Sequence, residues 1–288
     1  GAGLASFAGY VIKSGGASKD CGKFNERLNN SGIFFDAGIG MEYGKIRLNC
    51  LQEDFDKALI ILRDVLMTST YDGRAVNLCK SQIAEFMKQE KDEPGAVLKN
   101  KFRALVYGRF PYSSDRIVMD GKHRHGQGYA LYGVTLGGLK MVNVDDLIKF
   151  HKKYFRPQNV ILGFSGNIDV EELEKKLNNI FEDWCGAERD DFRVPPLNDG
   201  FSANSGIFFI PKKDLLQSHV MMGHIGAKKD SGDYFSLEAL GKALSGYFGS
   251  RLYRELRIKR GLVYSVHGYF DWTYLYPGLF SISFRAKN

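Results

Sequence analysis

The stretch Ser250–Ser265, SRLYRELRIKRGLVYS, places the tightest constraint on how this chain can fold. Apolar residues recur at helical spacing as far as Leu256, which predicts a helix. Gly261 then has the position of the left-handed residue that often ends a helix. The apolar pattern of Leu262–Tyr269 predicts a strand, so the chain must reverse direction at Gly261.

This reversal brings two side chains of different chemistry close together. Arg257 lies in the last turn of the predicted helix, and Tyr264 lies at the start of the predicted strand. The ordinary interpretation is a basic helix face beside a core tyrosine. The alternative is a cation and a phenol held ready on rigid elements to bind a ligand.

The segment RIKRGLVYS, following SRLYREL, resembles a motif of one known family. It is similar to the Arg-x-x-x-Gly-Leu-x-Tyr segment in the second domain of the pitrilysin / mitochondrial processing peptidase family. These are zinc metallopeptidases that hold the metal on an inverted His-x-x-Glu-His helix. The resemblance implies that Arg257 and Tyr264 reach across a closed chamber to the peptide bond being cut.

Three further segments resemble the same family: SGIFFDAGI, YGRFPY and VNVDDLIKFHKKYFRPQNVILGFSGNID. The resemblance implies an α+β fold of two homologous α/β-layer domains, each with helices packed on a mostly antiparallel mixed sheet. The proline-containing stretch 187–204 has little periodicity and is predicted to be a linker. Residues 1–186 would then form the first domain, and residues 205–288 an incomplete second domain.

A faint internal repeat supports this division. Phe24-x-x-x-Leu28-x-x-x-Gly32-Ile33 resembles Leu252-x-x-x-Leu256-x-x-x-x-Gly261-Leu262, and each copy leads into two predicted strands. In this register Asn29 has the position of Arg257.

Other local patterns predict individual elements. Val160–Phe164 and Ile207–Ile210 are short apolar runs and are predicted to be strands. Pro94 marks the restart of a helix within the long helical pattern Arg74–Tyr107. The segment Tyr112–Leu139, rich in Gly, Ser and His, is predicted to be loop.

The zinc-binding residues of the family are missing from this chain. Gly3-Leu4-Ala5 matches the residues that precede the family's motif, and Ser6, Gly9 and Tyr10 then replace its two histidines and glutamate. Zinc prefers His, Cys and carboxylate ligands, and a glycine cannot activate water. Alignment from the downstream acidic-proline turn places Phe86 at the third ligand position. Glu85 is one residue away, a rotation of about 100° on a helix. We therefore predict no metal and no cofactor in this chain.

Bulk properties exclude other classes of function. The net charge is +7, but Lys and Arg are scattered and no nucleic-acid motif is present. No apolar run has membrane-spanning length. The four cysteines show no metal or redox spacing. His123 and His125, in a basic glycine-rich segment, are two possible ligands without a third and are interpreted as a solvated loop.

Three functional hypotheses follow. The first is a zinc-less subunit of a heterodimeric zinc metallopeptidase, which is inert alone and supplies Arg257 and Tyr264 to a peptide in the active site of a homologous, zinc-bearing partner. The second is a structural or scaffold homologue, for which a homodimer is possible. The third, an independent enzyme, has only the histidine segment in its favour. The compartment is not evident from the sequence. The family resemblance implies a bacterial envelope or cytoplasm rather than the mitochondrial matrix, because the turn Leu244–Gly249 lacks the long glycine-rich insertion of the mitochondrial regulatory subunit.

Overall fold

The computed structural model describes residues 3–68, 70–108, 117–119, 130–186 and 205–287. Its helices are α1 (Leu4–Lys13), α2 (Cys21–Asn30), α3 (Phe55–Met67), α4 (Gly73–Asp92), α5 (Pro94–Tyr107), α6 (Leu136–Met141), α7 (Val144–Tyr154), α8 (Val170–Ile180) and α9 (Tyr234–Ser245), with a π-helix at Tyr253–Lys259. Its strands are β1 (Phe34–Ile39), β2 (Gly44–Asn49), β3 (Ile117–Met119), β4 (Ala130–Tyr132), β5 (Gln217–Ile225), β6 (Val263–Phe270) and β7 (Leu279–Lys287).

The chain forms two compact units. The first comprises Gly1–Met87 with Val118–Phe192, and the second comprises Lys88–Ile117 with Arg193–Asn288. Helix α5 therefore belongs to the second unit, although the sequence-based division placed it in the first domain. The predicted linker, 187–204, lies outside the described residues, so the domain boundaries stay a prediction.

The core of the first unit forms where α1 packs on the hairpin β1–β2. The two strands pair antiparallel, from Phe34 opposite Asn49 to Ile39 opposite Gly44. Residues of α1, α3, α4 and α7 fill the interior, because each helix has an apolar stripe of helical period. Among the most deeply buried are Phe7, Val11, Ile12, Ile61, Ile83 and Leu147.

The second unit is built on a three-stranded antiparallel sheet of order β5–β7–β6. Helix α5 packs against β5, and α9 packs against β6. Arg103, on α5, forms an ion pair of 3.1 Å with Asp271 at the end of β6. The hydroxyl of Tyr107 donates a hydrogen bond of 3.0 Å to the carbonyl of Pro277.

Capping residues set the helix ends that the sequence predicts. Pro94 begins α5, and the Glu93 side chain accepts a hydrogen bond from the first turn. Asn143 and Asp146 form a reciprocal capping box at the start of α7. The loop prediction for Tyr112–Leu139 is wrong at the end of that segment, where Thr135 caps the short helix α6. Most of the other residues of the segment lie outside the described part.

The α+β fold class is confirmed, and two strand predictions are wrong. Neither Val160–Phe164 nor Ile207–Ile210 pairs with a strand among the described residues. Both are nevertheless apolar, and the side chains of Ile161 and Ile207 are almost fully exposed. A short apolar run forms a strand only where another strand pairs with it, and none of the strands described does so here.

Candidate functional site

The helix that carries Arg257 is a π-helix over Tyr253–Lys259. It ends at Gly261, whose φ of 61° is the left-handed conformation that the sequence predicts there. The amide of Leu262 then donates a hydrogen bond of 2.9 Å to the carbonyl of Leu256, which closes the helix end. Short π-helical segments are rare and occur often at functional sites.

Comparison with α2 explains the π-helix. That helix ends at Gly32, whose φ is 57°, and the amide of Ile33 donates a hydrogen bond of 2.9 Å to the carbonyl of Leu28. The second copy has one more residue between its leucine (Leu256) and its glycine. That extra residue widens the last turn, so the hydrogen bond that closes the helix end spans six residues instead of five. Each copy then leads into an antiparallel strand pair, so the local repeat is present in the structure.

Arg257 contacts two aromatic rings. Its guanidinium carbon is 4.4 Å from the ring centre of Tyr264 and 4.8 Å from that of Tyr253. One guanidinium N–H also donates a hydrogen bond to the Tyr253 hydroxyl. Both distances are within the range of cation–π attraction, so both rings help to hold the guanidinium in place.

The site is open to solvent on the side of Tyr264. That side chain is 77% exposed, which excludes a role as a core tyrosine. Its hydroxyl has no hydrogen-bond partner in the described ranges, and the guanidinium of Arg257 has none besides Tyr253. A guanidinium has five N–H donors, so several donors here remain available to a ligand's acceptor oxygens.

The sequence analysis did not identify Tyr253 as part of this site. Its ring contacts Phe248 edge to face, with centres 5.0 Å apart, and Phe248 is itself 74% exposed. The signal was present as an aromatic residue four positions before a cation, a spacing that places two side chains on one helix face. Helical spacing also places Tyr253 in the apolar stripe with Leu252 and Leu256, which hides its role beside Arg257.

The residues at the positions of the missing zinc motif make packing and hydrogen-bond contacts instead. Ser6 donates a hydrogen bond of 3.0 Å from its Oγ to the carbonyl of Ile39. Tyr10 donates one of 3.2 Å from its hydroxyl to Oε1 of Gln82 on α4. Both residues are buried, so α1 is fixed against β1 and α4 by polar contacts that need no metal.

Gly9 is required by the close approach of α1 to β1. A Cβ at this position would lie 2.5 Å from the amide nitrogen of Ile39 and 3.1 Å from Gly38. No side chain, least of all a catalytic glutamate, fits there without moving the strand. Phe86 packs against the core, and Glu85 is exposed. The residues present therefore do not fit a zinc ion.

Other candidate sites add little. Within the described residues, no three His, Cys, Asp or Glu side chains are grouped so that they could hold a metal. His123 and His125 lie outside those residues. None of the helices described is both long and apolar enough to cross a membrane.

Comparisons with known proteins identify the family. The model of the Peptidase M16 inactive domain matches residues 141–288, just over half of the chain. The chain is 24% identical over 272 residues to the "uncharacterized zinc protease YmxG" of Bacillus subtilis, covering 93% of this chain and 60% of that protein. It is 22% identical over 266 residues to the "non-peptidase homolog YmxG" of Helicobacter pylori, covering 92% and 57%.

Solved structures agree on the fold. A protease from Helicobacter pylori superposes with a TM-score of 0.82 at 17% identity, covering 99% of this chain and 65% of that one. The present chain spans about 60% of the length of the curated relatives it matches. The family resemblance inferred from the motifs is confirmed: the chain belongs to the Peptidase M16 inactive domain family.

Proposed function

We propose that this chain is the zinc-less subunit of a two-subunit zinc metallopeptidase. It pairs with a homologue that carries His-x-x-Glu-His, and it supplies Arg257 and Tyr264 to the peptide bound by that homologue. The observation that carries the proposal is the Arg257 guanidinium, which contacts both Tyr253 and Tyr264 and has donors unused.

The chemistry of these donors suits a peptide backbone. A guanidinium and a phenol O–H both donate hydrogen bonds, and each carbonyl oxygen of an extended peptide accepts them. Cleavage of a peptide bond builds negative charge on the carbonyl oxygen, which preorganised donors stabilise. Because Tyr253 and Gly261 already fix Arg257 next to Tyr264, little ordering is needed on binding.

The packing around α1 supports the division of labour between two subunits. Gly9 touches β1 so closely that the base of a zinc peptidase has no space. Catalysis would therefore depend on the partner's zinc, while this chain contributes contacts to the substrate.

The test is peptide cleavage by the complex with a His-x-x-Glu-His homologue that co-purifies with this chain. Tyr264→Phe keeps the ring over Arg257 and removes only the hydroxyl. We expect it to lower turnover by about a hundredfold, the usual effect of removing one preorganised donor. Tyr269→Phe, on the same strand, is the matched control and should cleave normally.

Assembly is measured separately by light scattering, so that a folding defect is not read as a catalytic one. Full activity of Tyr264→Phe in a correctly assembled complex would favour the scaffold alternative. Formation of a homodimer that does not bind the zinc-bearing homologue would also favour the scaffold alternative.

A further inference from the structure

The pairing of β6 with β7 is irregular where β6 begins. Its register shifts between Val263 and Val266. Over this stretch two residues of β6, Tyr264 and Ser265, lie opposite one residue of β7, Arg285. Two residues opposite one is the pattern of a β-bulge, and bulges occur often beside active sites. Arg285 is therefore the residue of β7 that lies across from Tyr264.

Tyr264 and Arg285 have their side chains on the same face of the sheet. Val263 pairs with Ala286, and residues that lie opposite each other share a face. Successive side chains of a strand alternate between the two faces, so Tyr264 and Arg285, next to that pair, share the other face. Both side chains are exposed, whereas that of Val263 is buried. Cross-strand neighbours have Cβ atoms about 5 Å apart, so Arg285 adjoins the site on the side of Tyr264.

Among the described residues, no carboxylate forms an ion pair with Arg285. The residue opposite it on β5 is His219, which is not an acid. Burial lowers the pKa of His219, the positive charge of Arg285 lowers it further, and Glu93 raises it. The Glu93 carboxylate itself accepts a hydrogen bond from the amide of Gly95. The Arg285 guanidinium has five N–H donors, and it is therefore available to an acceptor group of a ligand.

We propose that Arg285 determines the substrate specificity of this site by binding a carboxylate of the peptide that Arg257 and Tyr264 contact. The inference rests on the proposed function, and it adds the class of peptide, which has an acidic group close to the contacted carbonyl. A guanidinium binds a carboxylate through two parallel N–H···O bonds, which a neutral side chain does not reproduce. Successive residues of an extended peptide are about 3.3 Å apart, so the carboxylate lies about one to three residues from that carbonyl.

The carboxylate has two possible sources, an Asp or Glu side chain within the peptide or the C-terminus of the peptide. Fluorescence anisotropy distinguishes them, with labelled, uncleavable peptides and the complex with the zinc-bearing homologue. One series of peptides has Glu or Gln at each position within about three residues of the blocked bond. The other series has a free or an amidated C-terminus at the same positions.

We expect the carboxylate form to bind about threefold to tenfold more tightly than its neutral counterpart in one of the two series. Arg285→Gln should abolish this preference and leave the affinity for the neutral peptides unchanged. A preference for Glu over Gln identifies an acidic side chain as the source. A preference confined to the free C-termini identifies the terminal carboxylate, and either result supports the inference.

Arg254→Gln is the matched control, because it removes another exposed guanidinium from the π-helix, near Glu255, rather than from the bulge. It should keep the wild-type preference. An unchanged preference in Arg285→Gln, an equal loss in Arg254→Gln, or no preference in the wild type would overturn the inference. The proposed function fails on a different measurement, the turnover of Tyr264→Phe in the assembled complex. Wild-type turnover there overturns this inference as well.

Discussion

The guanidinium carbon of Arg257 lies 4.4 Å from the ring centre of Tyr264, on the exposed face where the π-helix turns into β6. A cation over an exposed aromatic ring gains about 0.5–1 kcal/mol, enough to orient it. Tyr253 contacts the same guanidinium and accepts one of its hydrogen bonds. The direction of the remaining donors therefore depends on Tyr253.

We expect Tyr253→Phe to weaken peptide binding by the assembled complex. The substitution keeps the ring but removes a hydrogen bond worth roughly 0.5–1.5 kcal/mol, which corresponds to about a twofold to tenfold rise in Kd. Tyr253→Leu should weaken binding further, because it also removes the ring. Fluorescence anisotropy with a labelled, uncleavable peptide measures both. Identical affinities for Tyr253→Phe and the wild type would show that the hydroxyl does not position Arg257.

Much of this site could be predicted from the sequence because its determinants are local. The apolar spacing before Gly261 fixes a helix end, and the left-handed glycine fixes the reversal that joins Arg257 to Tyr264. The sequence shows the one extra residue of the second repeat copy, but not whether a wider helical turn or the loop after the helix accommodates it, so the π-helix could not be predicted. Tyr253 was missed because its position also fits the apolar stripe of the helix.

The strand predictions failed for a different physical reason. Whether an extended apolar segment forms a strand depends on a partner elsewhere in the chain. Val160–Phe164 and Ile207–Ile210 have the right pattern, but no described strand lies beside them. The tight contact at Gly9 was also not predictable, since it depends on how closely α1 approaches β1 in three dimensions.

Gly9→Ala should destabilise the protein, although alanine favours helices more than glycine does. Its Cβ would lie 2.5 Å from the amide nitrogen of Ile39, so the helix or the strand must move. Overpacking of this kind costs about 1–3 kcal/mol. Gly137→Ala is the matched control, because a Cβ there meets nothing within 4 Å. Urea unfolding that shows no loss for Gly9→Ala would contradict the close contact.

Asp271→Ala should lower the free energy of unfolding much more than the loss of an exposed ion pair does. Its partner, Arg103, has a side chain only 6% exposed, so removing the carboxylate leaves a buried cation without its counter-ion. Breaking a buried pair costs about 3–5 kcal/mol, and we expect about 2–4 kcal/mol here because Asp271 is 40% exposed.

The comparison variant is Glu255→Ala, which removes a carboxylate 2.6 Å from Lys259 on the exposed side of the π-helix. Solvent screens such a pair, so the midpoint of thermal unfolding should hardly change. Similar losses in the two variants would mean that the burial of Arg103 contributes little.

The side chain of His151 is buried in a polar network of the first unit. A carbonyl can only accept, so Nε2 carries the proton and donates to the Leu66 carbonyl at 3.0 Å. Nδ1 then accepts a hydrogen bond of 3.1 Å from the Tyr71 hydroxyl. The ring also stacks on Phe155, with centres 4.2 Å apart. Every polar atom of the imidazole is therefore satisfied in its neutral form.

Burial lowers the pKa of His151, and the hydrogen bond to the Leu66 carbonyl offsets part of that effect. In the unfolded chain the pKa of this histidine is about 6.5. Below this pH the unfolded state therefore binds a proton on His151 that the folded state binds only at lower pH. The stability due to neutral His151 is complete above about pH 6.5 and is lost as the pH falls below it. The free energy of unfolding should therefore decline between pH 7 and pH 5.

Urea unfolding across this range measures the decline, with His151→Gln and His267→Gln as a matched pair. His151→Gln should be less stable than the wild type at pH 7.5, because Gln cannot keep both hydrogen bonds and the stacking. It should also lose less stability on acidification, since the group that takes up the proton is gone. His267 is exposed on β6 and belongs to the second unit, so His267→Gln controls for the loss of a histidine outside the His151 network. A buried histidine that its surroundings keep neutral must contribute to the acid sensitivity. If His151→Gln keeps the full wild-type slope, the surroundings do not keep His151 neutral, and the acid sensitivity arises from other groups.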